Sequence, residues 1–160
     1  QDICFVPDGD YAAFIARRMG EESPEGDFLD EEGNILGRHR GFLRYTRGQH
    51  KGLGLVTERP LYVQRKDPVT KAIYLGPDEA LYSREATVRD CNWIAAEDLT
   101  EPRRVTAKIR HSRRDCPATV EPLGDGRVRI LFDEPQRACA PGQSAVFYEG
   151  DAVLGGGFLE

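Results

Sequence analysis

Apolar positions recur along this chain at two periods, and the change from one to the other divides it. Near the start, Tyr11, Phe14, Ile15 and Met19 fall close to i, i+3, i+4 and i+8, which puts them on one face of a helix; Asp10 is placed to cap it and Gly20 to end it. Beyond Gly20 the pattern shortens to that of strands. Gly26 to Leu29 and Ile35 to His39 flank Glu31-Glu32-Gly33-Asn34, and Leu61 to Arg65 and Ala72 to Leu75 flank Asp67-Pro68, so both pairs predict hairpins. From Ala86 the strands come regularly: Ala86 to Trp93, Arg103 to Ile109, Ala118 to Pro122, Arg127 to Phe132, Ser144 to Tyr148 and Ala152 to Phe158. The Gly124-Asp125-Gly126 turn and the Pro141-Gly142 pair punctuate them, and six short strands at this spacing predict a small closed barrel. The expected fold class is mainly β: a small mixed α+β domain over residues 1–83, then a six-stranded β-barrel over residues 84–160, with no long linker and no internal repeat.

Composition narrows the picture. A length of 160 residues with 39% hydrophobic content suffices for two modest cores. No window approaches the roughly 18 consecutive apolar residues of a membrane span, and no charged-then-apolar leader opens the chain, so a soluble protein with no membrane partner is expected. The first run, Gln1-Asp2-Ile3-Cys4-Phe5-Val6, is strand-like and has no start methionine, which suggests a cut through a longer polypeptide. Cys4, Cys91, Cys116 and Cys139 are scattered, and a chain of this size does not need disulfides, so a reducing cytoplasm is the expected setting. The net charge of -5 argues against a general nucleic-acid coat protein. Distribution matters more: Glu21 to Glu32 holds seven acidic residues and no Lys or Arg, whereas Arg103 to Arg114 holds six basic residues and no acid.

Several residues invite a chemical reading beside a plain one. Gly48-Gln49-His50-Lys51-Gly52-Leu53-Gly54 resembles a phosphate loop, but Gly52 stands where a nucleotide-binding loop needs Ser or Thr for magnesium; the segment is either a tight turn or a place where Lys51 and backbone N–H groups meet an RNA phosphate. Cys4 is either a small buried hydrophobe or, at a strand end before Pro7-Asp8-Gly9, a reachable sulfur. Cys91, Cys116 and Cys139 read as packing or surface residues, and with His39, His50 and His111 standing apart no metal site is expected. The Arg103 to Arg114 run is either a solvated strand face or an RNA-facing one, in which Arg110 and His111 pair a planar cation with an aromatic ring.

Thr46-Arg47-Gly48-Gln49-His50-Lys51-Gly52-Leu53-Gly54, together with the tail from Phe132-Asp133-Glu134-Pro135 through Pro141-Gly142-Gln143-Ser144-Ala145-Val146-Phe147-Tyr148 to Leu154-Gly155-Gly156-Gly157-Phe158-Leu159-Glu160, resembles tRNA-specific 2-thiouridylases of the MnmA type. The likeness covers nearly the whole chain. It implies a central mixed domain and a C-terminal barrel resembling the second domain of translation elongation factors. It also implies a preceding ATP-pyrophosphatase domain, absent from these residues, that holds ATP and magnesium; this part needs no cofactor of its own. Asp2-Ile3-Cys4-Phe5 is similar to the segment bearing the family's second catalytic cysteine, which carries the attacking persulfide. Arg110 and His111 match a tRNA-contacting pair whose second residue is commonly Tyr, and Gln143 matches another such position; Lys51 is a further candidate. The implied partners are the anticodon arm of tRNA and a sulfur-relay persulfide donor, for which the acidic stretch from Glu21 to Glu32 is either a docking face or a solvated loop. The rival reading is an RNA-binding module with no chemistry, in which Cys4 is structural. On either reading the triple glycine Gly155 to Gly157 is expected to be a strand bulge, not a site.

Overall fold

A computed structural model describes residues 11–20, 23–95, 98–110 and 116–160. The chain forms two compact units, Gln1–Ala80 and Leu81–Glu160. The first begins with helix α1 (Tyr11–Met19), the segment the helical spacing predicts, and continues with β1 (Gly26–Leu29), β2 (Ile35–His39), a short 3-10 turn at Phe42–Arg44, β3 (Tyr62–Lys66) and β4 (Ile73–Gly76). Both predicted hairpins form, and each closes on an aspartate. Asp30 accepts from the Asn34 backbone N–H at 2.7 Å and from its side-chain amide at 2.8 Å. Asp67 accepts from the Val69 and Thr70 N–H groups at 2.8 and 3.2 Å. These side chains mimic turn backbone, and the donated hydrogen bonds hold both carboxyls below their ordinary range.

What the hairpin pattern did not reveal is how the two join. The sheet order is β2-β1-β4-β3, with a parallel contact between β1 and β4 (Phe28 opposite Ile73) at its centre. Phe28 and Ile73, both fully buried, thereby meet Val63, Leu75, Tyr45 and Leu53 in one core. His39 joins them although it is polar. Its Nε2 faces the Lys71 carbonyl at 2.8 Å, so it donates, and its Nδ1 accepts from the Gly41 N–H at 3.3 Å; both ring nitrogens are thus satisfied within the protein.

The second unit is the closed barrel of six antiparallel strands, in the order β10-β5-β8-β7-β6-β9: β5 (Tyr82–Trp93), β6 (Arg103–Lys108), β7 (Cys116–Gly124), β8 (Arg127–Arg137), β9 (Ser144–Glu149) and β10 (Ala152–Leu159). Inward positions alternate with outward ones, so that Ala118 and Val120 of β7 and Val128, Ile130 and Phe132 of β8 point into the core. The turn from β7 to β8 places Asp125 at φ 52° and Gly126 at φ 67°, the pair of positive angles that a tight two-residue hairpin requires and that Asp-Gly supplies.

Strand β8 runs five residues beyond the predicted Phe132, through Asp133-Glu134-Pro135-Gln136-Arg137. A proline inside a strand argues for a stop, yet here pairing with β5 jumps from Leu131–Glu85 to Gln136–Ser83, so Pro135 lies in the bulge where no N–H is needed. The same pairing carries β5 back to Tyr82, opposite Arg137.

Candidate nucleic-acid interface

Cys4 and His111, two of the residues the sequence marks for chemistry, lie outside the described residues. Arg110, Gln143 and Lys51 are described. Arg110 follows β6, half-buried, and its guanidinium donates to the main-chain carbonyls of Arg137 and Ala138 at the end of β8. Ala138 has φ 49°, and its own N–H donates to the Leu81 carbonyl at 2.7 Å. Arg110 therefore pins the start of the connection that leads through Pro141-Gly142 to Gln143. Gln143 sits exposed at that turn, its N–H donating to the Ala140 carbonyl at 3.3 Å and its carbonyl accepting from the Leu159 N–H at 2.8 Å. The backbone is held at both ends while the amide side chain faces solvent, a suitable arrangement for a polar contact.

The basic run from Arg103 is less positive in space than along the chain. Arg104 makes a two-pronged bond to Asp133 of β8 at 2.7 and 2.8 Å, and Arg103 lies 3.4 Å from Glu149 of β9. The Arg104 guanidinium holds the Asp133 carboxyl below its ordinary range. Strand pairing brings acids from other parts of the sequence beside cations that have none in their own segment.

In the first unit the glycine-rich segment is an ordered loop organised by Gln49. The Gln49 side-chain carbonyl accepts from the Thr46 N–H at 3.0 Å and its amide donates to the Lys51 carbonyl at 3.0 Å. Its backbone is tied to β3 through Gly48 N–H to Val63 O at 2.7 Å and Val63 N–H to Gln49 O at 2.9 Å. Lys51 projects exposed from this braced loop, and His50 packs its ring against Tyr62 at 5.2 Å. Beside the loop, Arg40, Arg44, Tyr45, Gln49 and Gly52 line a cavity of about 390 Å³. Neither arginine belongs to a recognisable loop signature. A charge signal was nevertheless present: Gly33 to Thr57 contains Arg38, Arg40, Arg44, Arg47 and Lys51 and no Asp or Glu.

The described cysteines pack. Cys139 is buried in the barrel core, Cys91 and Cys116 are half-buried against it, and all three are free thiols. Burial, aided by Asp90 and Asp98, pushes the Cys91 thiol up to about 11, which keeps it protonated and unreactive at neutral pH. Among the described residues no three His, Cys, Asp or Glu side chains gather as a metal site, and no helix is long and apolar enough to cross a membrane.

Comparison with known proteins follows the two units. Residues 12–77 match the family described as a tRNA methyl transferase PRC-barrel domain, and residues 83–159 match the aminomethyltransferase beta-barrel domain. Over all 160 residues the chain is 50% identical to the tRNA-specific 2-thiouridylase MnmA of Acetivibrio thermocellus, 48% to that of Symbiobacterium thermophilum and 46% to that of Clostridioides difficile. The chain belongs to the MnmA family. It spans 45%, 41% and 44% of the length of those three MnmA proteins, respectively, and all of its own residues take part in each match. Both compact units are thus MnmA-family domains.

Proposed function

We propose that this chain is the RNA-handling part of a sulfurtransferase that makes 2-thiouridine at the wobble position of tRNA, and that it supplies one of the two cysteines of the reaction. The observation that carries this reading is identity of 42–50%, without interruption of coverage, to relatives named for that activity. In it, ATP and magnesium are held by residues outside this chain. Adenylation of the uridine O2 turns a poor leaving group into a good one. The terminal sulfur of a persulfide on Cys4 attacks C2, and AMP departs with the oxygen. A second cysteine, outside these residues, then attacks the Cys4 sulfur; the S–S bond breaks, a disulfide forms, and the transferred sulfur stays on the base. A cellular thiol restores both cysteines. The sulfur reaches Cys4 from a relay protein carrying a persulfide, and the acidic stretch from Glu21 to Glu32 is the segment whose charge suits a basic partner. The setting is cytoplasmic, where tRNA and reducing thiols coexist.

Docking of the anticodon arm is assigned to Arg110, His111, Gln143 and Lys51. Of these, Gln143 and Lys51 are exposed, and Arg110 holds the connection that presents Gln143. The decisive test replaces Cys4 by Ser in the full-length enzyme. Thiolation of tRNA falls to background while tRNA affinity and ATP-dependent adenylation persist. Thiolation at the unaltered rate would leave an RNA-binding module with a structural Cys4.

A further inference from the structure

At the end of β3 a cation turns inward. Lys66 is half-buried; its Nζ donates to the Tyr45 carbonyl at 2.9 Å and lies 4.3 Å from the centroid of the Phe42 ring. Loss of water on burial pushes its pKa below the ordinary lysine range, so the charged form is held against a penalty that these contacts offset in part. A methionine would pack against Phe42 without that penalty. What it lacks is the donor for Tyr45.

The carbonyl that Lys66 grips belongs to the peptide unit joining Tyr45 to Thr46. The N–H of the same unit donates to the Gln49 side-chain carbonyl at 3.0 Å, and the Gln49 amide donates in turn to the Lys51 carbonyl at 3.0 Å. Ammonium, peptide, carboxamide and peptide therefore stand in one series, with each group accepting from the one before and donating to the next. A charge at the head of such a series polarises it and strengthens the bonds down the line. The near end is anchored, because the Tyr45 ring is buried edge-on to Phe28 and His39. The far end is the exposed Lys51.

We propose that Lys66 is a positioning residue for tRNA: through the Tyr45–Thr46 peptide and Gln49 it fixes the main chain at Lys51, so that the Lys51 ammonium meets an RNA phosphate from a set place. The proposal rests on the reading above in which Lys51 contacts tRNA. Lys66 acts without touching RNA, its own ammonium being engaged inside the unit. Ordering the main chain before binding leaves less freedom to be lost when the flexible lysine side chain is immobilised on its phosphate.

The test is a double-mutant cycle in the full-length enzyme that reads tRNA affinity over a salt series, with thermal unfolding as the folding control. Lys51→Ala is expected to weaken binding and to make the log–log salt slope shallower by about 0.7–0.9, the signature of one lost phosphate contact. Lys66→Met is expected to weaken binding about two- to tenfold when Lys51 is present and by less than about 1.5-fold when Lys51 is already Ala. Lys66→Arg, which keeps a charged donor, recovers part of the loss. Gln49→Met cuts the series one link later with Lys66 in place; it gives the same loss with the same dependence on Lys51, and it decides the matter where Lys66→Met fails to fold. An equal loss from Lys66→Met in the Lys51→Ala background shows a direct RNA contact or a general support of the fold, and overturns the proposal. Unaltered affinity in a folded Lys66→Met enzyme overturns it too, while Lys51→Ala stays impaired and the wider reading stands. If Lys51→Ala itself leaves affinity and slope unchanged, the assignment of Lys51 fails and this proposal fails with it.

Discussion

Cysteine chemistry in this protein is decided by surroundings, residue by residue. Cys91, Cys116 and Cys139 are packed in or against the barrel core, and nothing in their sequence neighbourhoods distinguishes a packed thiol from a reachable one. Cys91 offers a direct check. Its thiol is raised from 9.0 to about 11, chiefly by burial, so the folded state favours the protonated form. The stability this contributes is present in full below the unfolded value of 9.0 and is lost as pH rises toward about 11. Alkylation of Cys91 by iodoacetamide in the native protein is expected to be far slower at pH 8 than in denaturant, with mass spectrometry reading the site; equal rates would contradict the burial assigned to it. His39 teaches a related lesson. It lies in an arginine-rich stretch, but its two nitrogens are spent on Lys71 and Gly41, and it serves the core.

Among the elements, local rules worked best where a turn or a backbone approach sets the structure. The Asp-Gly hairpin turn and the two aspartate-closed loops follow from side chains that bond their own backbone. The triple glycine also behaves as expected: the register of β10 shifts between Gly156 and Phe158 against β5 and between Val153 and Gly155 against β9. Its tertiary reason is close packing. A Cβ on Gly156 would lie 2.4 Å from the Ala145 carbonyl oxygen, so a side chain there forces β9 and β10 apart. Gly156→Ala is expected to destabilise the barrel by about 1–3 kcal/mol. Trp93, the sole tryptophan, stacks on Phe147 in this barrel, so its fluorescence in a denaturant titration reports the change. The extension of β8 through Pro135 escaped local rules, since the bulge that tolerates a proline depends on the pairing partner.

For the molecule as a whole, charge is the property that reading along the chain and looking at the fold describe differently. The Arg103 to Arg114 run holds no acid of its own, but Arg103 and Arg104 meet acids from β9 and β8, while Arg40 and Arg44, from the acid-free stretch Gly33 to Thr57, line one cavity in the first unit. Barrel docking then has separable signatures. Gln143→Ala is expected to weaken tRNA binding about two- to tenfold with the salt slope unchanged, because a neutral group releases no counterion. Arg110→Ala should also lower barrel stability by about 1.5–3 kcal/mol, since two carbonyls lose a charged donor. Filter binding over a salt series and Trp93 unfolding separate the two; a silent Gln143→Ala would remove that residue from the interface.

From residue order alone came the helix, both hairpins, the six barrel strands, the tight turns and the family, because periodicity and turn chemistry act over a few neighbouring residues. Only the tertiary structure decided the parallel joint between β1 and β4, the order in which the barrel closes, the Asp133 side chain that answers Arg104, the main-chain carbonyls that answer Arg110, and the cavity lined by Arg40 and Arg44. Those depend on groups far apart in the chain that meet when strands pair. A charge counted along the sequence says nothing of the partner it will find across a sheet.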